Sequence, residues 1–164
     1  MSTTKKTKYL TRAAVIAALY VVLTWLTALF GLSGQGLVQV RISEALCILP
    51  YFTAAAVPGV AIGCLLSNLL TGAHVLDIIF GTLATLLGAL GTRALRKWQW
   101  LAPLPPILAN TVIVPFVLRY AYFTTDVAFP LLVASVAAGE IISVGVLGLW
   151  LLFALKKHRN QLFG

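Results

Sequence analysis

Residues 10–30 read LTRAAVIAALYVVLTWLTALF, an apolar run entered from a basic tail and closed by the breaker cluster GLSGQG at 31–36. A bilayer's hydrocarbon core is about 30 Å thick and takes about 20 apolar residues to cross as a helix, so this run predicts a transmembrane span. A cleaved signal peptide carries a shorter apolar core of roughly 7 to 15 residues, so the run is expected to stay on the chain.

The rest of the sequence repeats that pattern. Of 164 residues, 60% are apolar and 10% charged, against about 45–50% and about 25% in a soluble domain, and the mean hydropathy is +0.99. One domain of this size cannot hide so much apolar surface from water, so lipid is the expected solvent. Six crossings take about 120 residues and leave about 44, too few for a soluble catalytic or nucleotide-binding domain. The predicted fold is an all-α integral membrane protein. It is a single membrane domain over 1–164, a bundle of six transmembrane helices at about 10–30, 38–52, 58–70, 77–95, 104–123 and 129–155. Pro58 suits the first turn of the third helix. The three prolines of KWQWLAPLPP, lacking an N–H, separate the fourth helix from the fifth.

Charge sets the expected orientation. Twelve Lys and Arg against four Asp and Glu give a net charge of +8, a balance that on a soluble chain would suggest nucleic acid. Here ten of the twelve cluster at helix ends: Lys5, Lys6, Lys8 and Arg12; Arg93, Arg96 and Lys97; Lys156, Lys157 and Arg159. Basic residues flanking a span resist translocation, so six crossings place both termini and all three clusters in the cytoplasm, with Arg41 and Arg119 opposite. No nucleic-acid partner is expected. Trp98 and Trp100 on the inner side and Tyr120 and Tyr122 on the outer fit interfacial belts.

All four acids, Glu44, Asp77, Asp126 and Glu140, fall in spans or at their outer ends. A carboxylate inside a span costs about 2.5–3.5 kcal/mol on insertion scales and faces the bundle interior, with a partner or a ligand. At 1.5 Å per residue, Glu140 and Asn110 lie at similar depth near the midplane. Glu44, Asn68 and Asp77 lie nearer the outside, with Arg41 one turn above Glu44, and together they would line an outward-opening pocket. Structural roles stand beside this one. Arg41 and Glu44 suit a same-face pair, Asp77 suits an N-cap of the fourth helix, and Asn68 and Asn110 suit interhelical hydrogen bonds. His74 suits a wet loop position and Arg119 an interfacial snorkel. Cys47 and Cys64, with no CxxC and no nearby His, read as packing residues rather than metal ligands. Ala13 with Ala17 and Ala14 with Ala18, at spacing four, form a face that lets another helix approach closely, inside the bundle or from another subunit.

Taken in order, TRAAVIAALY, VQVRISEALCILPYF, PGVAIGCLLSNLLTG, DIIFGTLATLLGAL, LPPILANTVIVPF and AAGE resemble the QueT family over nearly the whole chain. That family comprises substrate-binding S components of energy-coupling factor (ECF) transporters, associated with uptake of queuosine precursors in bacteria. The resemblance implies an S-component-like fold, multi-pass in the bacterial cell membrane. Its implied partners are an ECF transmembrane coupling subunit, docked on Ala13, Ala14, Ala17 and Ala18, and two cytoplasmic ATPases. It also implies a loaded bundle that topples as a unit. The chain has no GxxxxGK[ST] loop, so no cofactor is expected on it and ATP is used by the partner ATPases. The implied ligand is a 7-deazaguanine such as 7-aminomethyl-7-deazaguanine or queuine. Its N–H edge suits a carboxylate acceptor, for which Glu140 is the first choice. Asn110 and Asn68 would meet the remaining polar atoms, and Glu44 or Asp77 a ligand ammonium. Arg41 would hold Glu44 ionised or gate the mouth, and Phe80 and Tyr122 would offer stacking surfaces. The alternatives are an S component for another vitamin or nucleobase, a stand-alone proton-coupled carrier with Glu140 as proton site, and a membrane enzyme. The last is disfavoured because the acids are dispersed and no Ser-His or Cys-His pair is visible.

Overall fold

Four helices are long and apolar enough to cross a bilayer: α1 (Thr3–Leu29), α3 (Val75–Ala94), α4 (Leu104–Ala121) and α5 (Phe129–Lys156). The computed structural model describes residues 3–31, 40–122 and 126–163. Between the long helices lie a 3-10 segment (Ile42–Tyr51) and α2 (Ala56–Leu70), and the chain closes on the short α6 (Arg159–Phe163). No strand occurs among the described residues.

The observed elements refine the expected boundaries. The first helix begins at Thr3 rather than near 10, because Lys is a good helix former and the basic tail continues the helix beyond its apolar part. Thr7 Oγ1 donates to the Thr3 carbonyl at 3.1 Å within it. The second element is the larger correction. Instead of an α-helix over 38–52 it is ten residues of 3-10 helix with Pro50 inside, and residues 38 and 39 lie outside the described set. At about 2.0 Å per residue it covers about 20 Å. The fourth predicted helix starts at Val75, and its N-cap is His74 rather than Asp77: His74 Nδ1 accepts from the Leu76 amide at 3.2 Å. Asp77 occupies the first turn instead, where a negative charge suits the helix dipole. The fifth ends at Ala121, and residue 123 lies outside the described set. The sixth is continuous to Lys156 and winds as a π-helix over Ile141–Gly148.

Successive helices pack side by side, α1 on α2, α2 on α3, α3 on α4 and α4 on α5, while the 3-10 segment touches α1, α2, α3 and α5. Every residue from Ser43 to Pro50 is buried, so this segment is the middle of the bundle rather than a lipid-facing span. Small residues set the close approaches. A Cβ added to Gly63 would lie 2.6 Å from Tyr20 Cβ on α1, and one on Gly88 would lie 2.6 Å from Pro106 Cα on α4, the packing by which membrane helices associate without a hydrophobic drive. Leu10, Val22, Trp25, Leu87, Val112 and Trp150 point outward, whereas Glu44, Asn68, Asn110, Glu140 and Ser143 are buried. The outward side chains are apolar, and the buried polar ones sit beside an apolar core that includes Ile16, Leu46, Ile48, Val60 and Leu152.

Candidate substrate site

The 3-10 segment carries Glu44 into the centre, where it is 2% exposed. Tyr20 Oη donates to Glu44 Oε1, and Cys47 Sγ donates to Oε2 at 3.1 Å. Tyr20 reaches it because it shares the buried face of α1 with Ala13 and Ala17, opposite Gly59 and Gly63 of α2. Arg41, the residue preceding the segment, donates from Nη2 to Asn68 Oδ1 at 3.2 Å and has Glu44 and Asp77 among its charged neighbours. Its backbone N–H donates to Ser143 Oγ on α5 at 3.1 Å.

Asn68 extends the chain of contacts to α3, donating from Nδ2 to the Asp77 carbonyl at 3.3 Å. Tyr122 Oη donates to Asp77 Oδ2 at 3.0 Å and accepts from the His74 amide at 3.2 Å. Burial pushes the Tyr122 phenol above its usual pKa, so it remains protonated at neutral pH and serves as the donor in that pair. Tyr122 is thus a hydroxyl partner of Asp77.

Glu140 is the last α-helical residue of α5 before the π stretch. It is 8% exposed, and Asn110 on α4 is 3% exposed. The two side chains adjoin, and Glu44 and Arg41 are the further charged neighbours of Glu140. Glu140 Oε2 and Asn110 Nδ2 are buried and make no hydrogen bond among the described residues, and the same holds for Thr82 Oγ1 and Thr111 Oγ1. Buried polar atoms are nearly always paired, and a functional role is one of the causes of an exception. π turns within α-helices concentrate there too.

Arg41, Glu44, Asn68, Asp77 and Tyr122 thus form one connected set, with Glu140 and Asn110 beside it. Glu44, Asp77 and Glu140 lie near the one guanidinium of Arg41, a surplus of carboxyl groups that suits N–H donors. Phe80 is not brought into the set. Gly81 faces Asn68 and the Asp77 carboxylate, which turns Phe80 about 100° away. It is 42% exposed and lines an apolar groove of about 340 Å³ with Leu76, Val112, Ile113, Phe116, Val117 and Tyr120. The small-residue stripe also divides: Ala13 and Ala17 are buried by α2, while Ala14 and Ala18 face outward. Packing against Gly59 and Gly63 removes the first pair from the docking face expected of all four. Arg119, expected to snorkel, donates from Nη1 to the Val127 carbonyl at 2.9 Å. No group of three or more His, Cys, Asp or Glu placed to hold a metal occurs among the described residues.

Sequence reasoning passed over Tyr20, Ser143, Thr82 and Thr111. Tyr20 had a signal, since it continues the Ala13–Ala17 spacing on one helix face. The two threonines had none, because a hydroxyl in an apolar run reads as bonded to its own helix.

The QueT transporter family model matches residues 10–157. The queuosine precursor transporter QueT of Lactococcus lactis subsp. cremoris (strain MG1363) is 41% identical over 81 residues, 49% of this chain and 47% of that one. The matched stretch therefore spans about half the length of that relative. No solved structure matches. A family match over nearly the whole chain, four apolar helices able to cross a bilayer and a polar interior together assign this multi-pass membrane protein to the QueT transporter family, a family of transporters and not of enzymes.

Proposed function

We propose that the chain is the substrate-binding S component of an ECF-type ABC importer, and that it captures a queuosine precursor, a 7-deazaguanine such as 7-aminomethyl-7-deazaguanine or queuine, from outside the cell. The observation that carries this reading is the buried Glu140–Asn110 pair, whose side chains adjoin and interact while Glu140 Oε2 and Asn110 Nδ2 make no well-formed hydrogen bond among the described residues. A carboxylate oxygen beside an amide N–H is the complement of a ring N–H beside a carbonyl, the edge that a 7-deazaguanine presents. An unmet buried polar group costs about 1–3 kcal/mol, and such a ligand would remove that cost at both atoms. Glu44, held by Tyr20 and Cys47, fixes the floor of the site and adds negative charge. Asp77 and Arg41 form its outer rim.

Six crossings, with the 3-10 segment and α2 as the two short ones, keep both termini and the three basic clusters in the cytoplasm, as the asymmetry of Lys and Arg favours. The outward face bearing Ala14 and Ala18 takes the transmembrane coupling subunit, and two cytoplasmic ATPases supply the ATP-driven step.

Uptake of labelled 7-aminomethyl-7-deazaguanine into vesicles tests this. Vesicles holding the chain with a coupling subunit and two ATPases are expected to accumulate it when loaded with ATP, and vesicles holding the chain alone to show none. Accumulation by the chain alone, driven by a proton gradient, would replace this reading with a carrier that uses Glu140 as its proton site.

A further inference from the structure

Two further side chains share the condition of Glu140 and Asn110. Thr82 Oγ1 on α3 and Thr111 Oγ1 on α4 are buried without a hydrogen bond among the described residues. Most threonines in these helices are satisfied locally. Thr24, Thr27, Thr71 and Thr85 each donate to the carbonyl four residues back, at 2.6–3.0 Å, and Thr92 donates to the Ala102 carbonyl at 2.9 Å. The same local bond is open in principle to any threonine in a helix, so its absence at two positions singles them out.

Packing register places both at the level of the proposed site. Gly88 of α3 abuts Pro106 of α4. Thr82 lies six residues before Gly88 and Val112 six after Pro106, so in these antiparallel neighbours Thr82 stands about level with Val112. Gly145 of α5 meets Ile107 of α4. Glu140 lies five residues before Gly145 and Val112 five after Ile107, so Glu140 reaches the same level. Thr111 and Asn110 are one and two residues away from it, within about 3 Å along the axis. Three helices thus carry unmet polar atoms at about one level of the bundle.

We infer that Thr82 and Thr111 are specificity-determining residues of the substrate site, each exchanging one hydrogen bond with a bound planar heterocycle whose ring N–H is taken by Glu140 and whose adjoining carbonyl is taken by Asn110. The inference rests on the proposed function and extends its contact set to α3. A hydroxyl both donates and accepts, so it serves ring nitrogens and exocyclic groups that a carboxylate alone would repel.

The test uses a sign reversal. Valine has nearly the shape of threonine without the hydroxyl. In the ligand-free protein Thr82→Val and Thr111→Val remove an unmet buried polar atom and are expected to raise Tm in detergent. In the complex they remove a hydrogen bond and are expected to weaken 7-aminomethyl-7-deazaguanine binding about threefold to tenfold each. Thr82→Ser and Thr111→Ser, which keep the hydroxyl, are expected to hold affinity within about twofold, and Thr27→Val, whose hydroxyl is met by Leu23, to leave affinity unchanged. Valine variants that bind as tightly as the wild type overturn the inference, whichever way Tm moves, as does affinity lost equally in the serine variants. A wild-type protein that binds no 7-deazaguanine instead overturns the proposed function, and the inference falls with it.

Discussion

Glu44 and Glu140 are both buried carboxyl residues, and their surroundings give them different work. Glu44 has a partner on each oxygen, while Glu140 keeps Oε2 unmet. In the proposed site the first is a structural node and the second meets the ligand. Tyr20→Phe therefore tests the node: it leaves the ring in place and strips one donor from a buried acceptor, which costs about 1–3 kcal/mol. Thermal unfolding in detergent is expected to show a lowered Tm, and an unchanged Tm would mean that Glu44 is satisfied otherwise. The sequence made the acids and amides legible because each breaks an apolar run. It did not reveal their partners, since Tyr20 and Cys47 pass for apolar residues until the fold sets them against Glu44.

Among the elements, the long spans were legible because about 20 apolar residues bounded by charges or breakers allow little else. The 3-10 segment was not, because helical period cannot be read where all faces are buried, as they are from Ser43 to Pro50. His74 displaced Asp77 as the cap through a ring nitrogen that composition does not distinguish from a loop histidine. Close packing of elements makes a prediction of its own. Gly63→Ala places a carbon 2.6 Å from Tyr20 Cβ, so α1 and α2 must separate, at a cost of about 1–3 kcal/mol. Gly148→Ala meets nothing nearer than 3.6 Å and is expected to be neutral or to stabilise by up to about 1 kcal/mol, as removal of a helical glycine does. Melting curves of the two variants compare them directly; equal losses would contradict the close α1–α2 contact.

At the scale of the molecule, the polar interior has no counterpart in the lipid-facing surface, and the acids gather away from the three basic clusters. A helical bundle with buried acids among apolar helices suits capture of a polar solute, which is the role proposed for it. The direct measurement of that claim is a calorimetric titration of the purified chain and of Glu140→Gln with 7-aminomethyl-7-deazaguanine. The account predicts saturable one-to-one binding by the wild type and affinity at least about tenfold weaker in the variant, because loss of a buried acceptor that leaves a ligand N–H unmet costs about 1–3 kcal/mol. Equal affinity in the two proteins would contradict it.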